Sequence, residues 1–137
     1  MEVFVKPRQR ERAGMFTVRS RSWASVIAFY RDMPWAGPMA YLAETIASSR
    51  YGPHLYPVTS MHTIVIGQTP EFDWNDGVLR IEPMFEQDVI VGVRFVYVES
   101  PSATGHWARD CRIDDAFGVL ERFLARAHWF VEYRTAE

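Results

Sequence analysis

The sequence predicts one α+β domain over residues 1–137: a mostly antiparallel sheet, built from a three-strand meander and a short N-terminal hairpin, packed against a helix pair and a C-terminal helix. Three observations carry this. The run Asp88 to Glu99 is the most strongly β-forming stretch, with Val89, Val91, Val93, Phe95 and Tyr97 alternating against Ile90, Gly92, Arg94, Val96 and Val98, so both faces of that strand are largely apolar. Apolar residues recur at helical spacing in two segments before this run and in one after it. The resulting order, β-β-α-α-β-β-β-α, segregates helices from strands instead of alternating them. At 137 residues the chain has the size of one ordinary domain, long enough to bury roughly 68–70% of its unfolded surface without staples.

From the N-terminus, residues 2–6 and 15–20 alternate apolar and polar side chains and read as two short strands, joined by the polar linker Pro7 to Gly14. Ser22 stands in N-cap position before Trp23, Val26, Ile27 and Tyr30, which predicts a helix over 23–32 ended by Pro34. Met39, Leu42, Ala43, Ile46 and Ala47 mark a second helix, with Arg50 in its last turn and Gly52 as its stop. Pro53 and Pro57 then enforce an extended link.

Thr59 to Gly67 reads as the first strand of the meander, Gln68 to Gly77 as a loop, and Val78 to Pro83 as the second strand. Pairing Pro83 with Val91, Ile81 with Val93 and Leu79 with Phe95 collects the apolar residues on one face and Arg80, Glu82 and Arg94 on the other. Residues 100–105 are loop-like and 106–113 alternate as a weak edge strand. Asp114 is the expected N-cap of a last helix with Phe117, Leu120, Leu124, Ala127 and Val131 on one stripe.

Composition narrows the function classes. With 48% hydrophobic and 23% charged residues the chain is globular, and no apolar run approaches the ~18 residues of a membrane span. One cysteine and no signal-peptide core point to a reducing cytoplasm. Lys6 is the only lysine among 15 basic residues and Asn75 the only asparagine, the bias of a GC-rich bacterial genome. Lys6, Arg8, Arg10, Arg12, Arg19 and Arg21 make the first segment basic, but Phe4 precedes this cluster and Phe16 falls in the gap between Arg12 and Arg19, so the aromatics do not alternate with the arginines as stacking platforms would and a nucleic-acid interface is not expected.

No phosphate loop, His-Glu-x-x-His, Cys-x-x-Cys or Gly-x-Ser-x-Gly is present, and neither a catalytic residue nor a cofactor is expected. His54, His62, His106 and His128 lack close metal-ligand spacing, so no metal site is expected either. Cys111, between Arg109 and Arg112, is read as inert packing over a nucleophile.

Two constellations remain. Arg80, Glu82 and Arg94, joined by His62, would share one sheet face; two guanidiniums around a carboxylate can bind an anion, although cross-strand Arg–Glu pairs commonly just cover a wet sheet face. The loop Glu71, Phe72, Asp73, Trp74 and Asp76 combines aromatics with an acidic rim, the composition of a surface meeting a basic partner, and the acidic stretch Glu82 to Asp88, with Met84 and Phe85, accompanies it.

The expected function is therefore a cytosolic protein-binding domain with a basic protein partner. Immunity proteins, small acidic domains that neutralise basic bacterial toxins by electrostatic steering, are the concrete class by analogy. The alternative is a small-molecule or anion binder, or an enzyme, with its site at Arg80, Glu82, Arg94 and His62 or lined by Trp23, Trp35 and Tyr41. An exposed edge strand would also permit a homodimer.

Overall fold

The computed structural model describes residues 2–5, 17–100 and 107–134; the expected linker at Pro7 to Gly14 and residue His106 lie outside them. The fold is α+β. Its central sheet is antiparallel throughout, with strand order β3 (Tyr56–Ser60), β4 (Thr63–Gly67), β6 (Val78–Glu86), β7 (Val89–Val98) and β8 (Trp107–Cys111). The helices are α1 (Trp23–Arg31), α2 (Gly37–Ser48) and α3 (Ile113–Arg126).

The N-terminal strands do not form the expected hairpin. Strand β1 (Glu2–Val5) pairs with β9 (Val131–Arg134), and β2 (Thr17–Arg19) pairs with β5 (Glu71–Asp73), inside the segment expected to be all loop. Strand pairing is a long-range choice, and two short alternating stretches near each other in sequence carry no record of their true partners.

The meander also has more strands than expected, because the run 59–67 is two strands. Met61, at φ 55°, turns the chain between Ser60 and Thr63, which pair directly. Pro57 fits on β3 because that strand lies at the sheet edge, where a missing N–H breaks no ladder. Arg21 N–H donates to the Pro57 carbonyl at 2.7 Å, so the edge is partly covered. At the opposite edge β8 is the strand expected from its weak alternation, and it carries charges at Arg109 and Asp110 that discourage further pairing.

The β6–β7 register lies two residues from the expected one: Pro83 faces Val93, Ile81 faces Phe95 and Glu82 faces Arg94. Gln87 and Asp88, both at positive φ (51° and 66°), form a two-residue hairpin turn between Glu86 and Val89. A bulge follows, in which Met84 faces Gly92 but Phe85 faces Ile90, leaving Val91 without a partner. A shift of two is a full side-chain period, so the division of faces survives, but the extra residue inverts the phase beyond it. Ile90 is consequently 7% exposed and Val91, expected in the core, is 48% exposed.

One face of the sheet carries Ile64, Ile66, Leu79, Ile81, Val93 and Phe95 into the main core, against Val26, Tyr30, Met39, Leu42, Ile46, Leu120 and Leu124 of the helices. Ser22 caps α1 as expected, its hydroxyl accepting from the Ser25 N–H at 3.0 Å. Trp23 Nε1 donates to the carbonyls of Gly52 and Leu55 at 3.2 and 3.1 Å, which fastens α1 to the following turn. Gly52 does not stop α2, which already ends at Ser48. It sits instead in a 3-10 turn, so close to α2 that a Cβ would lie 2.5 Å from the Ala47 carbonyl oxygen.

Helix α3 starts earlier and ends sooner than expected. Arg112, extended, takes the N-cap position without a side-chain bond, and Asp114 and Asp115 fall in the first turn, where they complement the helix dipole. At the other end His128 adopts φ 52°, Trp129 N–H reaches the Leu124 carbonyl at 3.3 Å and His128 N–H that of Ala125 at 3.4 Å. This is the Schellman pattern, completed by the apolar contact it favours, Phe123 against Trp129 at 5.4 Å. Val131 is thus in a strand and not on the helical stripe.

The other face of the sheet is covered over one half. Val58, Val65, Val78 and Val98 form a second core with Phe72, on which Val18, Tyr56, Trp74 and Val96 pack. The β2–β5 ribbon supplies this cover. Glu82 and Arg94 share the uncovered half of the same face, and Arg80 stands at its boundary with the second core, between Val65 and Val96.

Candidate functional site

Arg94 points outward. Its Nε and Nη2 donate to Asp110 Oδ1 and Oδ2 at 2.6 and 3.0 Å, a bidentate pair directly across β7–β8, and both side chains are 48% exposed. The fork geometry matches the carboxylate, so the hydrogen bonds hold Asp110 below the usual carboxylate range and Arg94 above its own ordinary value. Glu82 stands opposite Arg94 in the ladder and adds a smaller attraction.

Arg80 turns the other way. Its Nη2 donates to Asn75 Oδ1 at 3.1 Å and to the Trp74 carbonyl at 3.4 Å, which ties the loop after β5 to the sheet. The two guanidiniums therefore do not converge on one carboxylate. Each serves a different neighbour.

His62 does not join them. It lies in the β3–β4 turn, its ring edge-on to Trp35 at 4.7 Å, and its carbonyl accepts the Tyr30 hydroxyl at 2.7 Å. Tyr30 is fully buried and burial raises its hydroxyl pKa, so it stays a neutral donor. What remains around Arg80 and Glu82 is a polar groove of about 490 Å³, bordered by Ser60, Met61, Thr63 and Trp74.

The loop expected to present an aromatic anchor does so only in part. Phe72 is fully buried, its ring packed so tightly over Gly67 that a Cβ there would lie 2.3 Å away. Trp74 is half-buried on the second core at the groove wall. Asp73 is also engaged, its Oδ1 accepting from the Asn75 N–H at 2.8 Å, an Asx turn that shapes the loop. Glu71 is exposed. Trp23 and Trp35 pack on the main core, as aromatic residues at helical spacing commonly do, while Tyr41 is 59% exposed on α2.

The exposed apolar surface lies elsewhere. Strands β3 and β6 run in the same direction, both antiparallel to β4, so the turns that end them, at 61–62 and 87–88, stand at the same end of the sheet. Trp35 links the two, its ring 4.7 Å from His62 and 5.5 Å from Phe85. Met61 is 84%, Val89 61%, Val91 48% and Phe85 47% exposed, and all four belong to this end. Glu86 and Asp88, both exposed, flank them, and the segment 82–91 contains no basic residue.

The acidic stretch Glu82 to Asp88, with Phe85, is the part of this surface that the sequence marks. Met61 is masked by the continuous β-branched pattern of 59–67, and Val91 by the bulge.

Cys111 lies beside Gly92 on the edge strand. Burial first, and then the nearby Asp115, push its thiol up, which disfavours the thiolate a nucleophile needs. Among the described residues no three His, Cys, Asp or Glu side chains group to hold a metal, and no helix is long and apolar enough to cross a membrane. Comparison with family models, with curated proteins and with solved structures finds no match to this chain.

Proposed function

We propose that the chain is a small protein-binding domain that grips a basic partner through the turn end of its sheet. One observation carries this reading: four of the five exposed large apolar side chains among the described residues, Met61, Phe85, Val89 and Val91, gather there. Large apolar side chains scattered singly need no explanation, whereas these four stand at one end of the sheet, Phe85 beside Trp35 and Val89 opposite Glu86. Glu86 and Asp88 supply the edge, and their sign selects a basic partner and speeds its approach.

The conformation of Met61 supports the same reading. A non-glycine residue at φ 55° is costly, and its side chain returns no burial, since it is 84% exposed. The tight β3–β4 turn accounts for the backbone, and the exposed apolar side chain that it carries is what a partner would cover. An immunity-type role, with a basic toxin domain as partner, is the concrete form of the proposal.

The test is direct. The products of the neighbouring genes are purified and each is titrated against this protein by calorimetry. A basic protein should bind, more weakly as salt rises, and a Phe85→Ser/Val89→Ser variant with an unchanged melting point should lose about tenfold or more in affinity. Equal binding by that variant would overturn the proposal.

A further inference from the structure

Between α3 and the β7–β8 edge lies a second concavity, of about 220 Å³, far from the turn end of the sheet. Its floor is aromatic: Trp107 and Phe123 stack at 5.2 Å with their planes 32° apart, and Tyr97 meets Phe123 at 5.1 Å. Behind them the fully buried Trp129 packs on both Tyr97 and Phe123, which fixes the floor in place. The lining also includes three arginines: Arg109 on β8, and Arg122 and Arg126 on α3.

These arginines are exposed, and none has a hydrogen-bonding or ion-pair partner among the described residues. Arg122 and Arg126 are one helical turn apart, a like-charge spacing that weakens a helix, and Arg109 shares the β8 face that carries Trp107. Cations of one sign around an apolar slot raise the local potential for an anion and offer the planar donor fork that fits carboxylate or phosphate.

We infer that this slot binds a small amphiphilic anion, with a flat apolar body on Trp107 and Phe123 and a carboxylate or phosphate monoester head held by Arg109, Arg122 and Arg126. The volume suits one or two rings, since an apolar cavity of about 150 Å³ already accepts benzene. The site is separate from the proposed partner surface, and each stands or falls alone.

The probes are 2-naphthoate and phenyl phosphate, with neutral 2-naphthalenemethanol and inorganic phosphate as the body-only and head-only controls, followed by tryptophan fluorescence and calorimetry. At least one of the two aromatic anions should bind saturably, at least about tenfold more tightly than either control. The tighter of the two identifies the head group. In an Arg122→Gln/Arg126→Gln variant the anion should weaken about tenfold while the neutral compound is unaffected, and the melting point should stay, because both side chains are exposed. Ala127→Leu, which places bulk in the slot wall, should abolish binding of the aromatic probes. The inference is overturned if neither anion saturates, if the neutral compound binds equally well, or if the arginine variant binds the anion as the parent does.

Discussion

Phe72 decides whether β5 belongs to the core or to a partner, and its replacement measures the answer. The ring is fully buried, at 0% exposure, and rests on Gly67. Transfer of a buried phenyl side chain contributes about 1.5–3 kcal/mol, and the cavity left by Phe72→Ala raises the expected loss to about 3–5 kcal/mol. Gly67→Ala attacks the same contact from below. Its Cβ would stand 2.3 Å from the ring, well inside any real contact, so the ring must move and overpacking should cost about 1–3 kcal/mol.

The two changes must therefore be coupled. With the ring removed the added methyl meets open space, so Gly67→Ala should cost far less in the Phe72→Ala background than alone, a coupling of about 1 kcal/mol or more. Chemical denaturation of the four proteins, followed by fluorescence and circular dichroism, gives the cycle. If Phe72→Ala left the unfolding midpoint unmoved, or if the two costs simply added, the ring would not occupy the place described and the second core would lose its centre.

Four smaller outcomes are expected. Tyr30→Phe removes the bond to the His62 carbonyl and should cost about 1 kcal/mol in denaturation, without a change in circular dichroism. Met61→Gly should raise stability by up to about 1 kcal/mol, because it relieves the positive φ and removes little buried surface, and it should weaken binding of the proposed basic partner. The Arg94–Asp110 pair contributes stability at pH values above the ordinary carboxylate range and loses it as pH falls through the lowered folded value, since protonation of Asp110 dissolves the pair. The melting-point gap between the parent and Asp110→Asn should accordingly be small near neutrality, because both groups are exposed, and vanish in acid or in high salt. Cys111 should react with a disulfide reagent at neutral pH more slowly than free cysteine, since burial raises its pKa.

Much of the local structure was written in the residues themselves. Ser22 caps α1, the stripe through Met39, Leu42 and Ile46 faces the core, and Arg80, Glu82 and Arg94 share one side of the sheet, because N-capping and side-chain periodicity depend on neighbours within one turn or one pleat. The helix end at Ala127 was not legible, because its left-handed position is filled by His128 instead of glycine and the apolar stripe continues past it. The turn at Met61 was hidden for the same reason, a left-handed residue without the usual chemistry. The candidate sites suffered most. The sequence marks Arg94 but not Asp110, whose position across the ladder depends on a strand pairing that the local pattern does not encode.

By itself the sequence determined the fold class, three helices near their observed places, strands over 78–83, 88–99 and 106–113 that overlap the observed β6, β7 and β8, and the sorting of charge from apolar surface on the central hairpin. Each depends on composition or on periods of two and 3.6 residues, which act over short distances and survive errors of register by a full period. Only the tertiary structure decided that β1 pairs with β9 and β2 with β5, that Phe72 is core, that Val91 is surface, and that three arginines from α3 and β8 meet over an aromatic floor. Those outcomes follow from contacts between residues far apart in the chain, where one unpaired residue at 91 inverts a face, and where a site is assembled from strand and helix only after the core has set their distance.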